Sequence, residues 1–166
     1  LSRNPNETEA MVGLAEAYLV RFDNSQARSY VERALAANPF HVGALSLRAY
    51  FAFDDHDYQG AREFVDRALA VNPRSREALS YEASHALVTH DAAGYESSIA
   101  EALALDPRFG EAYYIVGEVL ALNRRFEEAR LLCQKALEGL DADLPLATRM
   151  LLGITDVFMA IWPLLI

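Results

Sequence analysis

The chain has 166 residues, about half of them apolar, with 24 Asp and Glu against 15 Lys and Arg and a formal net charge of −9. A diffuse acidic surface of this kind speaks against nucleic acid or anionic lipid as the main partner, because phosphate binding needs clustered positive charge. Cys133 is the only cysteine, which excludes an intramolecular disulfide and a cysteine-based zinc site and fits a reducing, cytoplasmic compartment, with the periplasm left open.

In chain order, the first signal is a helix-ending dipeptide, Asn4-Pro5, which returns at Asn38-Pro39, Asn72-Pro73 and Asp106-Pro107, always 34 residues on. Proline cannot continue a helix and biases the preceding residue away from helical angles. Each dipeptide therefore marks a helix end. Leu1–Pro5 is in register with Leu35–Pro39, and the chain has no initiator methionine, so a further repeat upstream in a longer parent is expected. No secretory leader is visible in the polar residues 1–10.

Between these breaks, hydrophobic periodicity predicts helix pairs at 8–21 and 24–37, 42–54 and 58–71, 76–89 and 92–105, and 110–123 and 126–139. Asp23-Asn24, Asp54-Asp55 and Asp91 supply turn residues between the members of a pair. Small residues recur in register: Ala34, Ala68, Ala102 and Ala136 form one column, and Ala27, Ala61 and Ala129, with Tyr95 intervening, form another. Such columns let two helices approach closely. A ninth helix is expected from about Leu144-Pro145, and the last 17 residues, Met150 to Ile166, carry only Asp156 as a charge. That stretch is short for a membrane span, which needs about 20 residues. Met159, Trp162 and Leu165 are expected to dock another surface, which is a second copy of the chain, a missing domain or a further repeat, with membrane contact as the minor alternative.

The first repeat reads Met11, Leu14-Ala15, Tyr18, Ala27, Val31, Ala34 and Pro39, and the fourth reads Tyr113, Val116-Gly117, Leu120, Ala129, Cys133 and Ala136. This series at a 34-residue period resembles the tetratricopeptide repeat (TPR), in a form suggesting a bacterial protein. The resemblance implies an all-α fold, a right-handed superhelical solenoid of antiparallel helix pairs. As a single domain it would hold the end of a preceding repeat at 1–7, repeats at 8–41, 42–75, 76–109 and 110–143, and a C-terminal helix at 144–166. It also implies a scaffold that binds a peptide or helix of a partner in its concave face. The alternative is a non-catalytic docking or dimerisation domain of a larger bacterial enzyme.

In this family the exposed side of each first helix lines the concave groove. Carried onto this sequence, those positions include Val12, Glu16 and Leu19, then Ser46, Tyr50 and Phe53, then Ser80, Ser84 and Leu87, then Tyr114, Glu118 and Ala121. Tyr50, Phe53 and Tyr114 are candidate anchors, since aromatics dominate interface energetics. Phe53 has inter-repeat packing as an equal alternative. Glu9, Glu16, Glu77, Glu111 and Glu118 make the expected groove acidic, so a partner with apolar and basic residues is favoured over an acidic one. The Lys and Asn clamp with which some relatives hold a terminal carboxylate is missing, since Val12 and Glu16 occupy its first positions.

Catalytic chemistry is not expected. There is no phosphate loop, dinucleotide glycine pattern or nucleophile elbow. His85 and His90 lie five residues apart, about 140° around a helix, which is wrong for two metal ligands on one face. No metal, cofactor or nucleic acid is expected. Arg48 and Glu82 occupy one repeat column where an apolar residue belongs, and an inter-repeat ion pair between them is expected, with outward snorkelling as the alternative.

Overall fold

A computed structural model describes residues 5–106 and 110–139, and among them every regular element is a helix. The helices are α1 (Pro5–Val20), α2 (Asn24–Ala37), α3 (Val42–Asp54), α4 (Tyr58–Val71), α5 (Arg76–Val88), α6 (Ala92–Leu105), α7 (Glu111–Leu122) and α8 (Phe126–Gly139). The expected helices agree with these to within a few residues. The docking surface expected at Met159, Trp162 and Leu165 lies outside the described residues. The chain divides into two compact units, Leu1–Ala78 and Leu79–Ile166.

Local chemistry sets the helix ends. Asp23, Asp57 and Asp91 each accept a hydrogen bond from a backbone N–H three residues on, at Gln26, Gly60 and Gly94, which caps α2, α4 and α6. The Nδ1 of His41 does the same for Ala44 at the start of α3, and the Oγ of Ser75 for Ala78 at the start of α5. At the other ends, Asn38 and Asn72 leave the helical region (φ −139° and −136°), as a residue before proline must. Their side chains then accept from the backbone N–H groups of Phe40 and Arg74, closing the bend after each proline.

The turn inside each pair is a Schellman turn, repeated four times. The backbone N–H of Phe22 donates to the carbonyl of Leu19, and that of Asp23 to the carbonyl of Tyr18. The same two bonds recur at His56 and Asp57, at His90 and Asp91, and at Arg124 and Arg125. The motif demands a left-handed residue, and these bonds place Phe22, His56, His90 and Arg124 at φ 59°, 57°, 65° and 58°. Glycine is the unstrained choice there, yet none of the four is glycine.

In the first unit, α1 packs on α2, α2 on α3 and α3 on α4. Ala15, Ala27, Val31 and Phe51 form one buried cluster, Met11, Val12, Ala34 and Ala44 a second, and Leu45, Ala68 and Ala78 a third. In the second unit, α7 packs on α8 and on α6. There a Cβ added at Gly117 would lie 3.0 Å from Cys133 Sγ and 3.3 Å from the Ala129 carbonyl, so the two helices approach closely enough that a larger residue would push on its neighbours.

Candidate protein-binding face

The residues expected to line the groove separate into an accessible and a buried set. In the first unit, Glu16 is exposed and Leu19 and Tyr50 are half-buried. Val12 and Phe53 are buried, so the expectation that they present a binding surface is corrected. Val12 is held in the cluster with Met11, Ala34 and Ala44. Phe53, fully enclosed, serves as packing. Ser46, on the same side of α3, is 4% exposed, and its Oγ has no hydrogen-bond partner among the described residues.

Three carboxylates from two helices converge here. The Glu16 carboxyl is held above its usual range, first by burial and then by the negative charges of Glu9 and Glu77. Glu9 itself meets His41 Nε2 at 2.9 Å, which ties α1 to the start of α3. Beside them Tyr50 sits edge-on to Phe51, with ring centres 5.4 Å apart, and Tyr18 stacks on Tyr30 at 5.5 Å. The acidic residues thus lie near partly open apolar and aromatic surface.

In the second unit, Leu87, Tyr114 and Glu118 are half-buried. Ser84 is buried, and its Oγ donates to the Ser80 carbonyl at 2.8 Å, so its place in the binding surface is also corrected. A serine can satisfy its hydroxyl on the carbonyl one turn back in its own helix. Tyr114 donates its hydroxyl to the Glu118 carboxylate one turn along α7. Burial outweighs that bond and pushes Glu118 up to about 7.

Leu87 also floors an open depression of about 480 Å³ with Tyr95, Leu120, Leu131 and Lys135. Burial pushes the Tyr95 hydroxyl up to about 12. Sequence reasoning missed this depression, although its signal was present: Tyr95 stands in the column that is alanine in the other repeats. Arg48 and Glu82 each have a partner within their own unit. Arg48 Nε meets Glu32 at 2.9 Å and its guanidinium lies 4.9 Å from the Phe64 ring centre, while Glu82 accepts from Ser98 Oγ at 3.2 Å. Chemically, these surfaces offer carboxylates, aromatic edges and aliphatic floor. Among the described residues no group of three His, Cys, Asp or Glu side chains could hold a metal, and no helix is long and apolar enough to cross a membrane.

A family model described as tetratricopeptide repeat matches residues 12–77 and 91–145. Among solved structures, the chain is similar to TTC0263, a thermophilic TPR protein of Thermus thermophilus, at 21% identity and TM-score 0.62, covering 95% of this chain and 84% of that one. It is also similar to PilF of Pseudomonas aeruginosa at 18% identity and TM-score 0.56, covering 95% and 73%. A third similar structure, YrrB, is described as a TPR protein with an unusual peptide-binding site; identity is 20%, TM-score 0.51, and coverage 82% and 71%. At these identities the likeness speaks to the fold. No curated protein matches the sequence.

Proposed function

The chain belongs to the tetratricopeptide repeat family, and from that premise we propose that it is a non-catalytic scaffold whose first helices bind a peptide or helix rich in apolar and basic residues. The observation that carries this reading is the convergence of Glu9, Glu16 and Glu77 in the first unit, where their mutual repulsion helps hold Glu16 above its usual range. Clustered like charges cost free energy that an incoming cation would recover. The half-buried Leu19 and Tyr50 nearby supply the apolar component. In the second unit Leu87, Tyr114 and Glu118 repeat the combination of aliphatic, aromatic and acidic groups. YrrB, similar in fold, is described as having a peptide-binding site. The reading takes residues 8–143 as one array of four repeats.

The test is calorimetric titration of the whole chain with two peptides of one apolar pattern, one carrying lysines and the other glutamates. The lysine peptide is expected to bind at least tenfold more tightly. Glu16→Lys with Glu77→Lys should reverse the preference, and raised salt should weaken the lysine complex. Tighter binding of the glutamate peptide by the natural chain would sink the proposal.

A further inference from the structure

His41 uses both of its ring nitrogens. Nδ1 accepts the backbone N–H of Ala44 at 3.3 Å, which caps α3, and Nε2 meets a carboxylate oxygen of Glu9 on α1 at 2.9 Å. The ring lies against the α3 backbone, where a Cβ placed on Gly43 would be 3.5 Å from His41 Cε1, and the side chain is only 17% exposed. A neutral imidazole has one donor and one acceptor nitrogen. The Ala44 N–H can only donate and the Glu9 carboxylate can only accept. One tautomer satisfies both, with the proton on Nε2.

A second proton must go on Nδ1, where it would face the Ala44 N–H. Two donors cannot share a hydrogen bond, and the positive end of a helix repels a cation. On the other side, the Glu9 carboxylate binds an imidazolium more strongly than a neutral ring. Charging the ring therefore takes it from α3 and gives it to α1. The charged groups around it are Glu9 from α1 and Arg67 of α4, whose guanidinium donates to the carbonyl of Pro39, two residues before His41. Glu16 of α1 and Glu77 of α5 join through the acidic cluster, in which Glu16 is repelled by both Glu9 and Glu77.

We infer that His41 is a proton-operated switch on this cluster: neutral, it caps α3 and leaves the Glu9 charge to the groove; protonated, it gives up the cap and neutralises Glu9 from within the fold. The consequence for partners rests on the scaffold reading above. Acidification releases a cationic segment, because the imidazolium takes the place of the ligand's ammonium beside Glu9. Histidine ordinarily changes charge between about pH 5 and 8. A competing cation at the same carboxylate should weaken binding by roughly threefold or more. By linkage, a bound cationic segment in turn opposes protonation of His41.

The experiment follows the ring by long-range proton–nitrogen NMR of the whole chain between about pH 5 and 8. At the alkaline end His41 Nε2 should carry the proton and Nδ1 none. As the ring charges, protection of the Ala44 amide against hydrogen exchange should fall in step, since its acceptor is lost. The lysine peptide is then titrated at both ends of the range into the natural chain and into His41→Asn, whose side chain can cap a helix and never charges. Glu16 is present in both chains, so its own protonation cancels in the comparison. On acidification the natural chain should lose roughly threefold more affinity than the variant, or more. A neutral ring with its proton on Nδ1, a ring still neutral at the acid end, or Ala44 protection that ignores the ring's charge would each overturn the switch. Equal losses of affinity in the two chains would do the same. If the peptide binds neither chain at either pH, the scaffold reading falls, and the nitrogen shifts and Ala44 protection still decide the switch.

Discussion

Arg28 and Asp55 meet side by side, with Nη1 to Oδ2 at 2.7 Å and Nη2 to Oδ1 at 2.9 Å. The same guanidinium reaches Asp54 at 2.7 Å and lies 4.5 Å from the centre of the Phe51 ring. One side chain of α2 therefore fastens the end of α3 and the turn that follows it.

This fastening is partly exposed, so its worth is modest despite its geometry. A paired fork is stronger than a single contact, but solvent screens it. Arg28→Ala is expected to cost about 1 kcal/mol in urea unfolding. The loss should shrink at about 1 M salt, where exposed charges are screened within a few ångströms. An unchanged midpoint at low salt would show that the contact contributes nothing.

The left-handed turns offer gains in stability. A side chain in this conformation costs roughly 1–2 kcal/mol, part of which glycine returns as extra freedom in the unfolded chain. Phe22→Gly and His56→Gly should each stabilise the chain by about 0.5–1 kcal/mol. His56→Val should do the opposite, because branching at Cβ makes the left-handed region still less accessible. Thermal midpoints of the three variants decide the matter, and a fall with both glycines would contradict the strain argument.

Two glycines at the centre of first helices should respond with opposite signs. Gly13 has open space around it, so Gly13→Ala should add about 0.5–1 kcal/mol through helix propensity. Gly117 faces Cys133 Sγ and the Ala129 carbonyl, so Gly117→Ala should cost about 1–3 kcal/mol by overpacking. Denaturant midpoints of the two variants measured together check the contrast.

Glu118 should make stability depend on pH. Its folded-state value of about 7 lies above the 4.5 of an ordinary glutamate, so between these values the folded chain binds more protons than the unfolded chain. Its contribution is therefore full below about pH 4.5 and fades as pH rises through 7. Comparing urea midpoints at about pH 5 and about pH 7.5, on either side of most of that fall, the natural chain should lose more stability than Glu118→Gln does. Equal losses would place the Glu118 carboxyl in an ordinary environment.

Much of the fold was legible because its markers are local. Asn38, Asn72 and Asp106 before their prolines report helix ends through backbone angles alone, and α2, α3, α4, α6 and α8 begin and end where periodicity and these breaks put them, whereas Pro5 opens α1, which was expected to start at residue 8. The binding face was less legible, because a column position says which way a side chain points and not how closely a neighbouring helix shuts over it. Val12 and Phe53 point with Glu16 and Tyr50 by spacing, yet they are buried. Ser84 satisfied its hydroxyl on its own backbone, an option no column reveals. For Arg48, Glu32 offered a partner on the adjacent α2.

The four Schellman turns also bear on how such a chain can change over time. Each turn closes its hydrogen bonds within a handful of consecutive residues, from Tyr18 to Asp23 in the first and from Leu120 to Arg125 in the last. No distant residue is needed to form it. A block of one period can therefore be duplicated or lost by recombination at the turns without breaking any turn. What differs from period to period is the helix flank, as Arg48 on α3 and Leu14 on α1 illustrate. Inheritance by whole periods, with divergence concentrated on the flanks, is the history this arrangement favours.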